Sequence, residues 1–214
     1  MPKPLTQSRI VNQALSRLGS TERISSIEDN KEVAQHAAAH WDAVLLHLAS
    51  DHPFNFAIER AELPETGPLP VHGWKRGFDL PPDCVRFLPP RPADDSYYLS
   101  EVEGGRVFTD AEAPLRVRYL SSAKLDDTSR WPPYFALAVE TELAARMAEA
   151  VTGSSSIADK MEAKAADALK NAKRRDALEG GRAKRAGAIA RGNWTPATRG
   201  YPRPYDDPYY RWNH

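Results

Sequence analysis

Three histidines have the residue type and the spacing of a metal site. His36 and His40 stand four residues apart, and His47 falls on the same side of the helix predicted around them. Zinc normally takes three or four ligands oriented by hydrogen-bonded partners, and no glutamate follows His36 as in an HExxH motif. We therefore predict no metal and no other cofactor. We interpret the histidines as the polar edge of a helix that contacts a neighbour.

Other groups that could do chemistry lack partners in the sequence. Cys84 would need a base and a positive environment to act as a nucleophile, so we predict a buried structural cysteine. A glycosidase needs two carboxylates held across a cleft, whereas the paired acids here are adjacent residues in predicted turns. The pairs are Asp94-Asp95, Asp126-Asp127 and Asp206-Asp207. We find no enzyme signature and predict that the chain is not an enzyme.

Glu140 lies within the apolar stripe of a predicted helix. A buried acid can be functional when its pKa is raised, but an uncompensated charge in a core is costly. The alternative is an ion pair with an arginine across a helix interface, and we favour this ion pair.

The C-terminal arm, residues 181–214, interleaves aromatic side chains with arginines. This pattern suits single-stranded nucleic acid, whose bases stack on aromatic rings, and equally a protein interface, where Tyr, Trp and Arg are frequent anchors. A solvated linker is the third possibility. Four prolines favour an extended peptide docked in a groove of a partner protein, which we prefer. The predicted contact residues are Arg191, Trp194, Arg199, Tyr201, Arg203, Tyr205, Tyr209, Tyr210, Arg211 and Trp212.

Charge is divided unevenly along a chain that is neutral overall. Residues 1–172 hold 19 Lys and Arg against 25 Asp and Glu, a net charge of −6, and residues 173–214 hold 10 against 4, a net charge of +6. The split indicates an acidic body with a basic arm meant for another surface. A single cysteine excludes a disulfide framework, and no apolar run is long enough for a membrane span. We expect a soluble protein without a membrane segment.

Apolar spacing predicts four helices. Thr6 caps the first, Asp29 or Asn30 caps the second, and Gly180-Gly181 ends the last. The second buries six apolar positions: Val33, Ala37, Trp41, Val44, Leu45 and Leu48. Three of the predicted helices cover about residues 6–18, 30–50 and 157–178. The other begins at Trp131-Pro132-Pro133 and stops at Gly153.

Proline and glycine separate short aromatic and β-branched segments between residues 54 and 119, which predicts a small antiparallel sheet with a hairpin turn at Gly104-Gly105. The fold class is therefore α+β: a mainly α-helical bundle from both ends of the chain, a small inserted antiparallel β domain and an extended C-terminal arm. The boundaries are 1–53 for the first helices of the bundle, 54–125 for the β domain, 126–180 for the last helices and 181–214 for the arm.

Four patches of sequence follow one another in a characteristic order. They are IVNQALSRLGS at residues 10–20, FNFA at 54–57 after His52-Pro53, FDLPPDCVR at 78–86 and WPPYF at 131–135. In order and spacing they resemble the head-to-tail adaptor proteins of tailed bacteriophages, of the tail tubular protein A type. The resemblance covers about residues 5–180 and does not include the C-terminal arm.

The resemblance implies a structural protein of the virion, assembled in the host cytoplasm. Copies would form a homo-oligomeric ring, usually dodecameric, with the portal protein above and the tail tube, nozzle or another tail protein below. Double-stranded DNA would pass through the lumen without sequence-specific binding. Two alternatives come from other classes: a nucleic-acid-binding module that uses the C-terminal arm, and a metal-dependent hydrolase built on the second-helix histidines.

Overall fold

The computed structural model describes residues 5–67, 72–90 and 97–191, with side chains described as far as residue 180. Five α-helices and six β-strands make up this part of the chain, which belongs to the α+β class. The helices are α1 (Gln7–Arg17), α2 (Glu32–Asp51), α3 (Ser122–Asp126), α4 (Pro133–Thr152) and α5 (Ser155–Arg191). The strands are β1 (Ile58–Leu63), β2 (Arg76–Asp79), β3 (Cys84–Leu88), β4 (Ser100–Glu103), β5 (Arg106–Thr109) and β6 (Leu115–Ser121).

Two compact units divide the chain, residues 1–177 and residues 178–214. Nearly all of the described side chains belong to the first unit. No helix in the described part of the chain combines the length and the apolar character needed to cross a bilayer.

The caps of the first two helices differ in how well the sequence predicts them. Thr6 caps α1 as expected, because its hydroxyl oxygen accepts a hydrogen bond from the Arg9 amide at 3.3 Å. The predicted cap of α2 is wrong: Lys31 precedes the helix and no side chain caps it. Asp29 is engaged elsewhere, since its carboxylate accepts from the Ser25 amide at 2.7 Å and from the Ser25 hydroxyl. These hydrogen bonds lower the pKa of Asp29.

The last two helices begin as the sequence predicts, but only one of them ends there. Helix α4 ends at Gly153, whose φ of +66° is the left-handed conformation that glycine adopts without strain. Helix α5 continues through Gly180-Gly181 to Arg191, so the predicted end is wrong, and residues 181–191 are helical rather than extended. A glycine inside a helix costs only about 1 kcal/mol relative to alanine, and the next proline, Pro196, comes later.

The β-strands form two sheets, whereas the sequence pattern predicts one. Strand β6 pairs with β1 and β3, and β5 pairs with β2 and β4, all antiparallel. Both sheets contribute to one small apolar core, because each has one face that must be buried. The predicted hairpin is confirmed: Gly104 and Gly105, with φ of +55° and +79°, connect β4 to β5. The buried residues of this core are Leu63, Phe78, Val107, Leu115, Val117 and Tyr119.

A larger core joins helices from both ends of the described chain. It contains all six apolar residues predicted for α2, together with residues of α1, α4 and α5. Sequence spacing also predicts an apolar face for α4, made of Ala136, Leu137, Val139, Leu143, Ala144, Met147, Ala150 and Val151. This prediction is only partly right, since Leu137 and Ala150 are exposed while Phe135 and Ala138 are buried. Helix α4 packs against both α1 and α2. Its buried face is therefore wider than a single apolar stripe and is rotated about the helix axis from the face that the sequence predicts.

Candidate functional site

Asp176 is a buried carboxylate that joins three parts of the helical core. Its side chain is 2 % exposed. One oxygen, Oδ2, accepts from His52 Nε2 at 2.9 Å, and the other, Oδ1, accepts from the Asn55 amide at 2.9 Å and the Tyr134 hydroxyl at 3.1 Å. The Asn55 side chain donates in turn to the Asp176 carbonyl at 2.8 Å. These contacts tie α5 to the segment that follows α2 and to the first turn of α4.

The position of Asp176 on its helix explains its burial. Met161, Ala165, Ala172 and Asp176 recur at spacings of four, seven and four residues and form the buried stripe of α5. Asp176 is absent from the candidate residues predicted above, although the sequence carries a signal for it: an acid in register with the apolar positions of an alanine-rich helix. A charge at such a position requires partners, and the segment after α2 supplies them.

An aromatic cluster lies beside Asp176. The Phe135 ring centroid is 4.8 Å from that of Phe54, 4.7 Å from that of Phe56 and 4.9 Å from that of Trp131. Trp131 also stacks on Trp41 at 6.0 Å, and its indole nitrogen donates to a backbone carbonyl at 2.8 Å. Two of the four patches that carry the family resemblance, FNFA and WPPYF, therefore meet in one packed junction. Their conspicuous residues pack against one another and form hydrogen bonds in this junction.

A groove of about 360 Å³ runs between α2, α4 and α5. Its rim is polar, and Glu142 accepts from Arg146 Nε at 2.9 Å and lies 4.0 Å from His47 Nε2. None of the lining residues carries a hydroxyl or a thiol that could act as a nucleophile. The lining residues are His47, Glu142, Ala145, Arg146, Glu162, Ala165, Ala166 and Leu169.

The three histidines of α2 do not converge on a metal site. His36 Nε2 faces Glu32 of its own helix at 3.7 Å, whereas His47 faces Glu142 of α4. Among residues 5–67, 72–90 and 97–180, no group of three or more histidine, cysteine and acidic side chains is placed to hold a metal ion. The interpretation of a polar edge against a neighbouring helix is confirmed for His47.

Cys84 lies at the start of β3 and is only half-buried, so the prediction of a buried cysteine is only partly right. Burial raises the pKa of its thiol, and the negative charge of Asp83 raises it further. The Asp83 carboxylate accepts from the Ser121 hydroxyl at 2.5 Å and from the Tyr119 hydroxyl at 3.3 Å. Burial, followed by the Asp83 charge, also raises the pKa of Tyr119 to about 12. A thiol in this environment stays protonated, which is the opposite of an activated nucleophile.

We expect Cys84 to react several-fold more slowly with iodoacetamide at pH 8 in the folded chain than in the chain unfolded by urea. The raised pKa lowers the thiolate fraction, and half-burial limits access to the sulfur. Mass spectrometry of alkylated samples taken over time gives the two rates. A folded-state rate equal to or above the unfolded rate would contradict the structural role of this cysteine.

The paired acids have separate environments. The Ser129 hydroxyl and amide donate to Asp127, and these hydrogen bonds lower its pKa. Burial and, to a smaller extent, the charge of Asp42 raise the pKa of Asp126. Asp127 thus caps the turn Thr128–Arg130 and does not share a proton with its neighbour. The pairs Asp94-Asp95 and Asp206-Asp207 lie outside the described residues.

The ion pair expected for Glu140 is confirmed. Glu140 Oε1 accepts from Arg17 Nε at 2.5 Å, across the contact between α1 and α4. The Glu140 side chain is 12 % exposed, so the arginine compensates a charge that the apolar stripe draws towards the core.

The predicted contact residues of the C-terminal arm lie almost entirely outside the described residues. Arg191 is the last residue of α5, and only its backbone is described. The others, from Trp194 to Trp212, remain predictions. Neither a scan against protein-family models nor a search of curated proteins finds a match to this chain.

Proposed function

We propose that this chain is a head-to-tail adaptor of a bacteriophage virion, a structural subunit that does no catalysis. Copies form a dodecameric ring between the portal protein above and the tail tube, nozzle or another tail protein below. Double-stranded DNA passes through the lumen of the ring without sequence-specific binding. In this proposal the chain is a helical bundle with an inserted β domain, and the C-terminal arm is its attachment to a partner.

One observation supports this proposal more than any other: the residues behind the family resemblance are used to build the scaffold. Phe54, Trp131 and Phe135 are buried in contact, and Asn55 donates to buried Asp176. An enzyme would place such distinctive residues in a cleft with free polar groups. Here they fix the junction between helices from both ends of the described chain, as expected of a subunit whose task is to keep its shape under load.

The surface of the helices offers room for neighbouring copies. Between residues 155 and 176, α5 buries only one narrow stripe, so most of its circumference is open. The open face of this helix is therefore accessible to neighbouring copies. Four large apolar side chains also remain exposed on the helices: Leu46, Leu137, Ile157 and Leu178. Buried at subunit contacts, such side chains would contribute to assembly.

Charge supports a channel that lets DNA slide. A wall of Lys and Arg would bind phosphates and hold the duplex, whereas acidic or mixed charge would not. Residues 1–172 carry a net charge of −6. We therefore propose that the lumen is lined by acidic and neutral groups of this body, with the basic residues of the chain's last part directed at protein.

The arm composition also favours one second candidate, a nucleic-acid-binding module. Residues 182–214 hold seven Lys and Arg against two acids, interleaved with six aromatic residues. Binding of this kind depends on phosphate contacts and weakens steeply with salt. Protein docking by aromatic anchors depends less on salt, because buried aromatic side chains supply most of the affinity.

Assembly with the portal is the experiment that separates these functions. We expect the purified chain to be a monomer or a weak oligomer, and to form a closed ring once the portal of the same phage is added. Mass photometry of the chain alone, of the portal alone and of the mixture measures this directly. A stable ring without portal would contradict portal-dependent closure. Tight binding to single-stranded DNA, lost by several orders of magnitude between 50 and 200 mM salt, would favour the nucleic-acid-binding module.

A further inference from the structure

Strand β4 has one edge that pairs with no other described strand. It is the outer strand of the sheet β2-β5-β4. Glu103 and Arg106 flank a two-residue turn and form a hydrogen-bonded pair. Because hydrogen-bonded and non-hydrogen-bonded pairs alternate along two antiparallel strands, the amide and carbonyl of Glu101 also point towards β5. The amide and carbonyl groups of Ser100 and Val102 then point away from the sheet. No hydrogen bond of these groups occurs among the described residues.

The opposite edge of the same sheet is already covered. Thr66 lies along β2, where its amide donates to the Gly77 carbonyl at 2.8 Å and its hydroxyl accepts from the Asp79 amide at 3.0 Å. Arg106 Nη2 also donates a hydrogen bond to the Thr66 carbonyl at 2.5 Å. The fold thus protects one edge of this sheet with its own chain and leaves the other as a template for an added strand.

The side chains along β4 define what the edge can accept. Val102 is 45 % exposed on the face that carries buried Val107, and Leu99, just before the strand, is 65 % exposed. Glu101 and Glu103 lie on the opposite face, both exposed, with Glu101 accepting from the Trp74 indole at 3.0 Å. A strand that fits here has apolar or aromatic side chains on one face and a positive charge on the other.

Within the C-terminal arm, one segment has that alternation. Residues 209–212 read Tyr-Tyr-Arg-Trp, four residues without proline and with high β-propensity, in an arm otherwise interrupted by proline. When Arg211 lies on the face of Glu101 and Glu103, Tyr210 and Trp212 fall on the face of Val102, because side chains alternate along a strand. Charge and apolar character are complementary in the same register.

We propose that the open edge of β4 binds residues 209–212 of a neighbouring copy as an added β-strand. A contact between one patch and a different patch of the next copy is a head-to-tail contact, the type that closes into a ring. That the segment comes from a neighbouring copy rests on the ring of the proposed function. That the segment fits the edge of β4 does not depend on the proposed function. Main-chain hydrogen bonds supply affinity, and Tyr210, Trp212 and Arg211 supply specificity.

Hydrogen exchange of the full-length chain tests this pairing. The outward-pointing amides of Ser100 and Val102 exchange fast in dilute protein, and the Val102 amide becomes at least about tenfold slower as concentration rises, because the added strand accepts its hydrogen bond. Trp212→Ala and Tyr210→Pro abolish the protection, whereas Tyr201→Ala, an aromatic change elsewhere in the arm, leaves it intact. Exchange of this strand that is unaffected by Tyr210→Pro, or protection independent of concentration, would overturn the proposal.

A change in the strand provides the reciprocal test. Val102→Pro removes an amide that points outward, so the pairing of β4 with β5 survives while strand addition is blocked. Val102→Thr keeps the amide and serves as the matched control. A synthetic peptide of residues 205–214 should bind the Tyr210→Pro chain and bind at least about tenfold more weakly when Val102→Pro is added. If the peptide binds but no ring forms on the portal, the proposed function is contradicted and the strand addition is not. If a ring forms on the portal and Val102→Pro has no effect, the strand addition is contradicted and the proposed function is not.

Discussion

Replacing Asp176 with alanine is expected to lower the free energy of unfolding by about 3 kcal/mol or more. The carboxylate accepts from His52, Asn55 and Tyr134 while only 2 % exposed. Alanine would leave three donors facing one another without an acceptor, and each buried donor left unpaired costs about 1–3 kcal/mol. Urea unfolding followed by circular dichroism measures the change.

Two further variants make the result specific to the buried contacts. Asp176→Asn keeps an acceptor for Asn55 and Tyr134 but directs an amide group at His52, so we expect an intermediate loss. Asp167→Ala removes an exposed acid from the same helix and should change stability by no more than about 0.5 kcal/mol. Equal effects of Asp176→Ala and Asp167→Ala would show that the hydrogen bonds of Asp176 do not stabilise the junction.

Removing residues 192–214 is expected to abolish assembly on the portal while leaving the fold nearly unchanged. The described core lies within residues 1–177, and residues 178–214 form a separate unit. The deleted segment holds all six aromatic residues of the arm. Docked aromatic anchors contribute about 2 kcal/mol each, so even two of them amount to roughly a thousandfold in Kd. Thermal unfolding and portal co-sedimentation, run on the same sample, measure the two effects separately.

Point substitutions separate anchoring from charge. Trp194→Ala together with Trp212→Ala should reproduce most of the loss caused by the truncation. The matched pair Arg199→Gln and Arg203→Gln should instead reduce the association rate and its salt dependence, because exposed charges contribute little to affinity. A truncated chain that still assembled on the portal, or that failed to fold, would rule out a docking role for the arm.

The sequence predicts those features that local rules determine. Thr6, Pro133 and Gly153 mark helix ends through capping, proline geometry and a left-handed residue, and all three are confirmed. The Gly104-Gly105 turn likewise determines the hairpin of β4 and β5. The ion pair of Glu140 is predictable because burying an unpaired charge in an apolar stripe is unfavourable. Its partner, Arg17, is distant in sequence.

Features that depend on tertiary contacts escape the same rules. Gly180-Gly181 resembles a helix end, yet α5 continues, because glycine weakens a helix without forbidding it. Asp29 resembles a cap, but it hydrogen-bonds to Ser25 in the preceding turn. The division of six strands into two sheets depends on long-range pairing. The hydrogen bonds of Asp176 to His52 and Asn55 form only when residues more than 120 positions earlier fold against it.

Images of the full-length chain mixed with the portal of the same phage, averaged by class in negative stain, test most directly whether this protein is a head-to-tail adaptor. We expect a closed ring of copies stacked coaxially on the portal, with a central channel wide enough for duplex DNA, and no such ring when residues 192–214 are removed. Portal rings that carry no additional density, even when this chain is present in large molar excess, would contradict an adaptor function for this chain.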